Sequence, residues 1–177
     1  MMGVASPLRG FIRLTAYLAW TWVAQTIVAT KVERSLAAGG MTDAAVFITP
    51  TPLNTLLWRI VVQTERGYLE GFESLIADEG SIRFESYESD RQALLDASDV
   101  WAVQRLRWFS SDFLKAGVRD GRLFLTDLRM GQEPMYVFTY VVAEHGNPHW
   151  KSIPTEHIPI TFEDRALGRT WQRIWGN

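Results

Sequence analysis

Leu123-Phe-Leu-Thr-Asp-Leu-Arg-Met-Gly-Gln-Glu-Pro-Met-Tyr-Val-Phe-Thr-Tyr-Val-Val142 is the stretch whose reading decides the fold. It reads as two antiparallel β-strands, Leu123 to Thr126 and Tyr136 to Ala143, joined by a charged connection from Asp127 to Pro134 that contains Gly and Pro. Asp127 and Arg129 are two apart, so on an extended chain they leave the same side. Either they pair with each other or with neighbours to hold a corner, or they line a site.

Just upstream, Arg119-Asp-Gly-Arg122 is the strongest hairpin signal in the chain, because Asp-Gly suits the positive φ angles of a tight turn. Asp90 to Ala116 reads as helical. Arg91 to Ala97 makes a short helix, and Ser98 is placed to cap a second. In the second, Val103, Leu106, Phe109 and Phe113 form a core stripe, and Trp101, Arg105 and Trp108 form another. The pattern predicts a central aromatic helix lying between a sheet and something else, with Trp58, Trp101 and Trp108 as core or interface residues.

Farther upstream, Leu56 to Gln63 and Tyr68 to Leu75 flank Thr64-Glu-Arg-Gly67 as a hairpin. Neither face of the second strand is cleanly apolar. Ala45 to Thr49 and Ile82 to Tyr87 add shorter strands. Downstream, the chain is Pro-punctuated from His145 to Pro159. Phe162 to Trp175 then reads as a closing helix, with Leu167, Trp171, Ile174 and Trp175 on one stripe.

At the start, Met1 to Gly10 lacks an apolar period, and no small-residue cleavage site marks a signal peptide. Leu14 to Thr30 carries no charge over seventeen residues, the lower limit for a bilayer-spanning helix. Tyr17, Trp20, Val23, Ala24, Ile27 and Val28 share an apolar face, while Thr15, Thr21, Gln25 and Thr26 gather opposite. A span inside a membrane bundle accommodates such polar groups, and so does a helix lying on a soluble domain. Both readings stay open. The helix is expected to run on to Ala38 and stop at Gly39-Gly40.

A net charge of −2 with no basic cluster argues against a nucleic-acid partner. The chain has no cysteine, which excludes disulfides and thiolate chemistry. His145, His149 and His157 lie in the Pro-rich segment, where surface roles outweigh a zinc site, and no nucleophile elbow or phosphate loop occurs. What remains is polar residues where strands belong: Asn54, Arg59, Asp127 and Arg129. Two guanidinium groups and an amide suit an anionic ligand. The alternative is that Asp127 holds Arg59 or Arg129 in a structural ion pair.

Three blocks carry a family pattern: Pro50-Thr-Pro-Leu-Asn-Thr-Leu-Leu-Trp-Arg59, Val103-Gln-Arg-Leu-Arg-Trp-Phe109 and Thr126-Asp-Leu-Arg-Met-Gly-Gln-Glu-Pro134. From about Tyr17 on, the chain resembles the C-terminal part of bacterial inner-membrane proteins of the membrane-bound, metal-dependent hydrolase family. Tyr17 to Gly40 resembles the end of that family's last membrane span and its exit helix. The resemblance implies an inner-membrane location and a divalent metal held by His and Asp residues of an N-terminal membrane bundle. Nothing in Met1 to Arg13 matches that bundle, so no catalytic residue, metal ligand or cofactor is assigned to this chain.

The expectation is therefore an α+β protein. It has an N-terminal flexible segment (1–13), a membrane-span-like helix and exit turn (14–40), and an extramembrane domain (41–177). That domain carries one antiparallel sheet of about five or six strands, the central aromatic helix and a C-terminal helix. Its expected role is accessory to a membrane-bound hydrolase, with the membrane and a membrane-bundle protein as partners. The alternatives are a non-catalytic membrane-associated interaction domain, or a binder of a small anionic ligand at Asn54, Arg59, Asp127 and Arg129.

Overall fold

The computed structural model describes residues 7–52, 54–147, 149–159 and 173–175. It begins with α1 (Pro7–Ala38), so the helix covers Pro7 to Arg13, where the sequence suggests a flexible start. Proline suits a first helical position, since its missing N–H has no intrahelical partner there. Ala24, Val28, Val32 and Leu36, four apart, form one buried stripe of α1. The helix ends as expected at Gly39-Gly40: Gly40 has φ 72°, and Met41 N donates to the Leu36 carbonyl at 2.9 Å.

The first sheet is antiparallel, with β1 (Val46–Pro50), β2 (Leu57–Thr64), β3 (Gly67–Ser74) and β4 (Phe84–Glu88) side by side in chain order. β2 is apolar almost throughout because both of its faces are covered. Trp58, Ile60 and Val62 meet the α1 stripe, while Val61 meets Phe113, Leu128 and Tyr136 on the other side. Gly67 admits no side chain, since a Cβ there would lie 2.1 Å from the Tyr87 carbonyl oxygen.

α2 (Arg91–Asp96) starts at Asp90, whose carboxylate accepts from Ala93 N at 2.9 Å. α3 (Trp101–Ser110) follows, with Val100 and not Ser98 at its N-cap. It stops earlier than the apolar period suggests, because Ser111 and Asp112 turn left-handed (φ 54° and 64°). Phe113 is thereby redirected into the core, Phe109 is left exposed, and 114–116 join a strand instead of the helix. Nor is α3 a central helix. Val103 faces inward, but Trp101 and Trp108 are 72% and 68% exposed.

Six strands follow: β5 (Leu114–Arg119), β6 (Arg122–Asp127), β7 (Gly131–Gln132), β8 (Met135–Tyr136), β9 (Thr139–Glu144) and β10 (Lys151–Ile158). β5 and β6 form the expected hairpin, with Asp120 and Gly121 at φ 50° and 70°. The second sheet is antiparallel in the order β10-β9-β6-β5, and β7 and β8 make a separate two-stranded ribbon. α2 and α3 cover this sheet through Leu94, Ala97 and Val103, packed on Leu123, Leu125 and Val142.

The α+β class and antiparallel pairing thus match the expectation, but the single sheet of five or six strands becomes two four-stranded sheets and a ribbon. In the chain, the helical pair α2–α3 falls between the two sheets. β10 occupies the Pro-punctuated segment, tolerating Pro154 because it is an edge strand with a bulge between Ser152 and Glu156. The closing helix falls mostly outside the described residues. Within them Ile174 is buried, and its carbonyl accepts from Ser74 Oγ at 2.6 Å. No helix among the described residues is long and apolar enough to cross a membrane. Thr15, Thr21, Gln25, Thr26 and Thr30 interrupt the apolar run, and from Ala24 on its apolar stripe is committed to the first sheet.

Candidate functional site

Asn54 belongs to a turn. Its Oδ1 accepts from the N–H groups of Leu56 (2.9 Å) and Leu57 (2.8 Å), and its Nδ2 donates to Thr51 Oγ1 at 2.6 Å. That bonding carries the chain from β1 into β2. Arg59 lies elsewhere, on the face of β2 that looks away from α1.

A buried Arg needs partners for all its donors. Arg59 Nε donates to Glu70 Oε1 at 2.6 Å, Nη1 to the Leu128 carbonyl at 2.6 Å and Nη2 to the Tyr136 hydroxyl at 3.2 Å. Glu70 is on β3, facing Arg59 diagonally across the ladder, and its Oε2 accepts from Glu133 N at 3.2 Å. The Tyr68 hydroxyl lies 3.2 Å from that of Tyr136 and donates to Glu133, which also pairs with Lys115. Burial, helped by the Glu133 bond, pushes the Tyr68 phenol far above its ordinary range. Burial does the same for Tyr136, and the neighbouring Glu70 charge adds to it. Both phenols therefore stay protonated.

Asp127 and Arg129 pair with each other. Asp127 accepts from Arg129 N (2.9 Å), Nε (3.0 Å) and Nη2 (2.8 Å), and Arg129 lies 5.0 Å over the Phe109 ring. The bond to Asp127 raises the Arg129 pKa. Of the four residues singled out in the sequence, Arg59 and the Asp127–Arg129 pair thus meet only through the Leu128 backbone, and Asn54 stands apart. Arg59 takes Glu70 as its counter-ion instead of Asp127. This arrangement clamps β2 and β3 of the first sheet to the β6–β9 connection of the second. Its guanidinium donors are engaged internally, and no buried side-chain nitrogen or oxygen among the described residues lacks a hydrogen bond.

Sequence reasoning missed Tyr68, Glu70, Glu133 and Tyr136. The signal was the mixed faces of β3: a carboxylate on a strand buried on both sides requires a cation across the sheet. Glu73 gives the same signal and pairs with Lys31 of α1. Asp78 continues that network by binding Arg173 through both Nη1 (2.9 Å) and Nη2 (2.7 Å). Burial works against the Asp78 charge, but the Arg173 bonds outweigh it and hold its pKa below the ordinary value.

Among the described residues, no three His, Asp or Glu side chains converge as metal ligands. His157 Nε2 lies 3.0 Å from the Val137 carbonyl, and the His145 ring stands edge-on to Trp150. Comparison with protein-family models, curated proteins and solved structures finds no match.

Proposed function

We propose that this chain is the extramembrane α+β domain of a membrane-bound, metal-dependent hydrolase-like protein. In this reading it holds or presents substrate, while the metal chemistry belongs to a His- and Asp-bearing membrane bundle outside this sequence. The observation that carries it is the outer part of α1. Phe11, Ile12, Leu14, Tyr17, Leu18 and Trp22 are exposed around the helix, with only Arg9 and Arg13 as charges before Lys31. Leaving that much apolar surface in water is unfavourable, by about 25 cal/mol per Å².

The threonines favour the same setting. Thr15, Thr21, Thr26 and Thr30 each donate to the carbonyl four residues earlier, at 2.9–3.0 Å, so their hydroxyls need no water. Apolar residues on every side suit insertion among other helices in an apolar layer. The part free to enter it runs to about Ala19, since Trp20 Nε1 donates to Thr55 Oγ1 at 3.2 Å and Ala24 already belongs to the core. The three blocks resembling the metal-dependent hydrolase family supply the rest of the assignment.

Membrane fractionation of the full chain and of a chain lacking residues 1–19 tests this. The full chain should pellet with inner membranes and resist carbonate, and the shortened chain should remain folded in the supernatant. A full chain that stays in the supernatant as a monomer would overturn the proposal.

A second reading, a non-catalytic interaction domain, draws on α3. Exposed Trp101 and Trp108 flank Arg105, whose guanidinium lies 4.5 Å over the Trp108 ring.

A further inference from the structure

The edge strands differ in how far they are protected. An edge presents N–H and C=O groups without a strand partner, and proteins blunt it with charge, proline, bulges or covering segments. β4 carries Glu85 and Glu88, and β10 has Lys151, Pro154, Glu156 and a bulge. On β5, Ala116 N donates to Ser89 Oγ and its carbonyl accepts from Asp90 N, both at 2.9 Å. β1, Val46-Phe-Ile-Thr-Pro50, has no charge and, among the described residues, only its terminal proline of these devices.

The pairing shows which β1 groups have no strand partner among the described residues. Gln63 N donates to the Ala45 carbonyl and Thr51 N to the Leu57 carbonyl, each at 2.9 Å. Alternation along the ladder turns Phe47 and Thr49 toward β2, so the N–H and C=O of Val46 and Ile48 point to the open edge. A groove of about 430 Å³ lies between β1 and α1, lined by Ala29, Val32, Glu33, Leu36, Val46 and Ile48 among others. A strand added to this edge would place alternate side chains on the face of Val46 and Ile48, over the groove. Glu33 is the one charged residue lining it, and no described residue forms a salt bridge with it.

We propose that the free edge of β1 and this groove form a binding site for an extended segment of another protein, which adds as a further strand to the first sheet. Its alternating apolar side chains fill the space between Val32, Leu36 and Ile48. A lysine or arginine beside them meets Glu33. Main-chain bonds to Val46 and Ile48 supply register, and the groove selects the side chains. The inference is independent of the membrane reading, because every residue it uses lies on the folded body or on the part of α1 packed against it.

The test is fluorescence anisotropy of the full chain with a labelled peptide of alternating valine and threonine bearing one lysine. Saturable binding is expected. N-methylation of the amides facing β1 should weaken it at least tenfold, and methylation of the alternate amides should leave it unchanged. Glu33→Gln should weaken the lysine peptide several-fold but not its norleucine counterpart. Ala29→Phe, which fills the groove from a half-buried position, should abolish binding without shifting the melting temperature. Absence of binding, or equal binding of both methylated peptides, overturns the proposal. So does a dimer of the chain, blocked by Ala29→Phe, that the peptide cannot dissociate, since the occupant is then a second copy.

Discussion

Arg59 and Glu70 are 3% and 5% exposed, so each charge is tolerated only because the other is there. Breaking such a pair costs more than the pair contributes, because the surviving charge stays buried without a partner. Arg59→Met should destabilise the protein by about 3–5 kcal/mol in urea denaturation, with Glu70→Gln in the same direction. Arg129 is 24% exposed, but Arg129→Ala leaves Asp127, 2% exposed, without its guanidinium partner and should destabilise in the same direction. The phenols give a pH signature. Their folded pKa values lie above the ordinary 10.0, so their contribution is full below that pH and is lost as pH rises beyond it. Stability should therefore fall in alkali, and Tyr68→Phe should flatten that fall. Asp78 acts at the other end: its folded pKa lies below 3.8, so its contribution is present above that value and lost as pH falls past it. Arg173→Met should remove this acid-side dependence in denaturation curves measured between about pH 2 and 6.

At the level of elements, close approach makes sharper demands than propensity. At Gly67 any side chain meets the Tyr87 carbonyl, so Gly67→Ala must push β4 away from β3. The expected loss is about 1–3 kcal/mol, seen as a lower urea midpoint, with faster amide exchange concentrated in β4. α1 is divided by its packing and not by its sequence. Val28→Asp puts an unpaired charge against Ile60 and should detach the helix, whereas Leu18→Asp, on the exposed part, should leave the melting temperature nearly unchanged. α3 shows why a helical period misleads. Phe109 and Phe113 fit one stripe only if the helix continues, and the left-handed turn at Ser111 and Asp112 sends them to opposite environments.

For the whole molecule, two sheets are joined through the Arg59 clamp, and a single helix extends from one of them. Removing residues 1–19 should leave the thermal transition of the body within a few degrees of the full chain, because the contacts of α1 with the body begin at Trp20 and its buried stripe at Ala24. With the full chain in vesicles, brominated lipid should quench Trp22 strongly and Trp58, which is 1% exposed inside the body, hardly at all. Equal quenching of the two would place the body itself in the lipid.

The sequence by itself determined the local units: the Asp120-Gly121 turn, the hairpin of β2 and β3, the stop of α1 at Gly39-Gly40 and the short helix α2. Each follows from φ preferences, hydrogen-bond caps or a period of two, all set by neighbours in the chain. It also marked Arg59, Asp127 and Arg129 as charges in need of a reason. Only the tertiary structure decided that Arg59 belongs to Glu70 and that the strands divide into two sheets. It likewise decided that Pro154 sits on an edge strand and that Trp101 and Trp108 face outward. These depend on which surfaces meet across dozens of residues, and a burial that covers both faces of β2 and β3 erases the alternation by which a sequence reveals its inside.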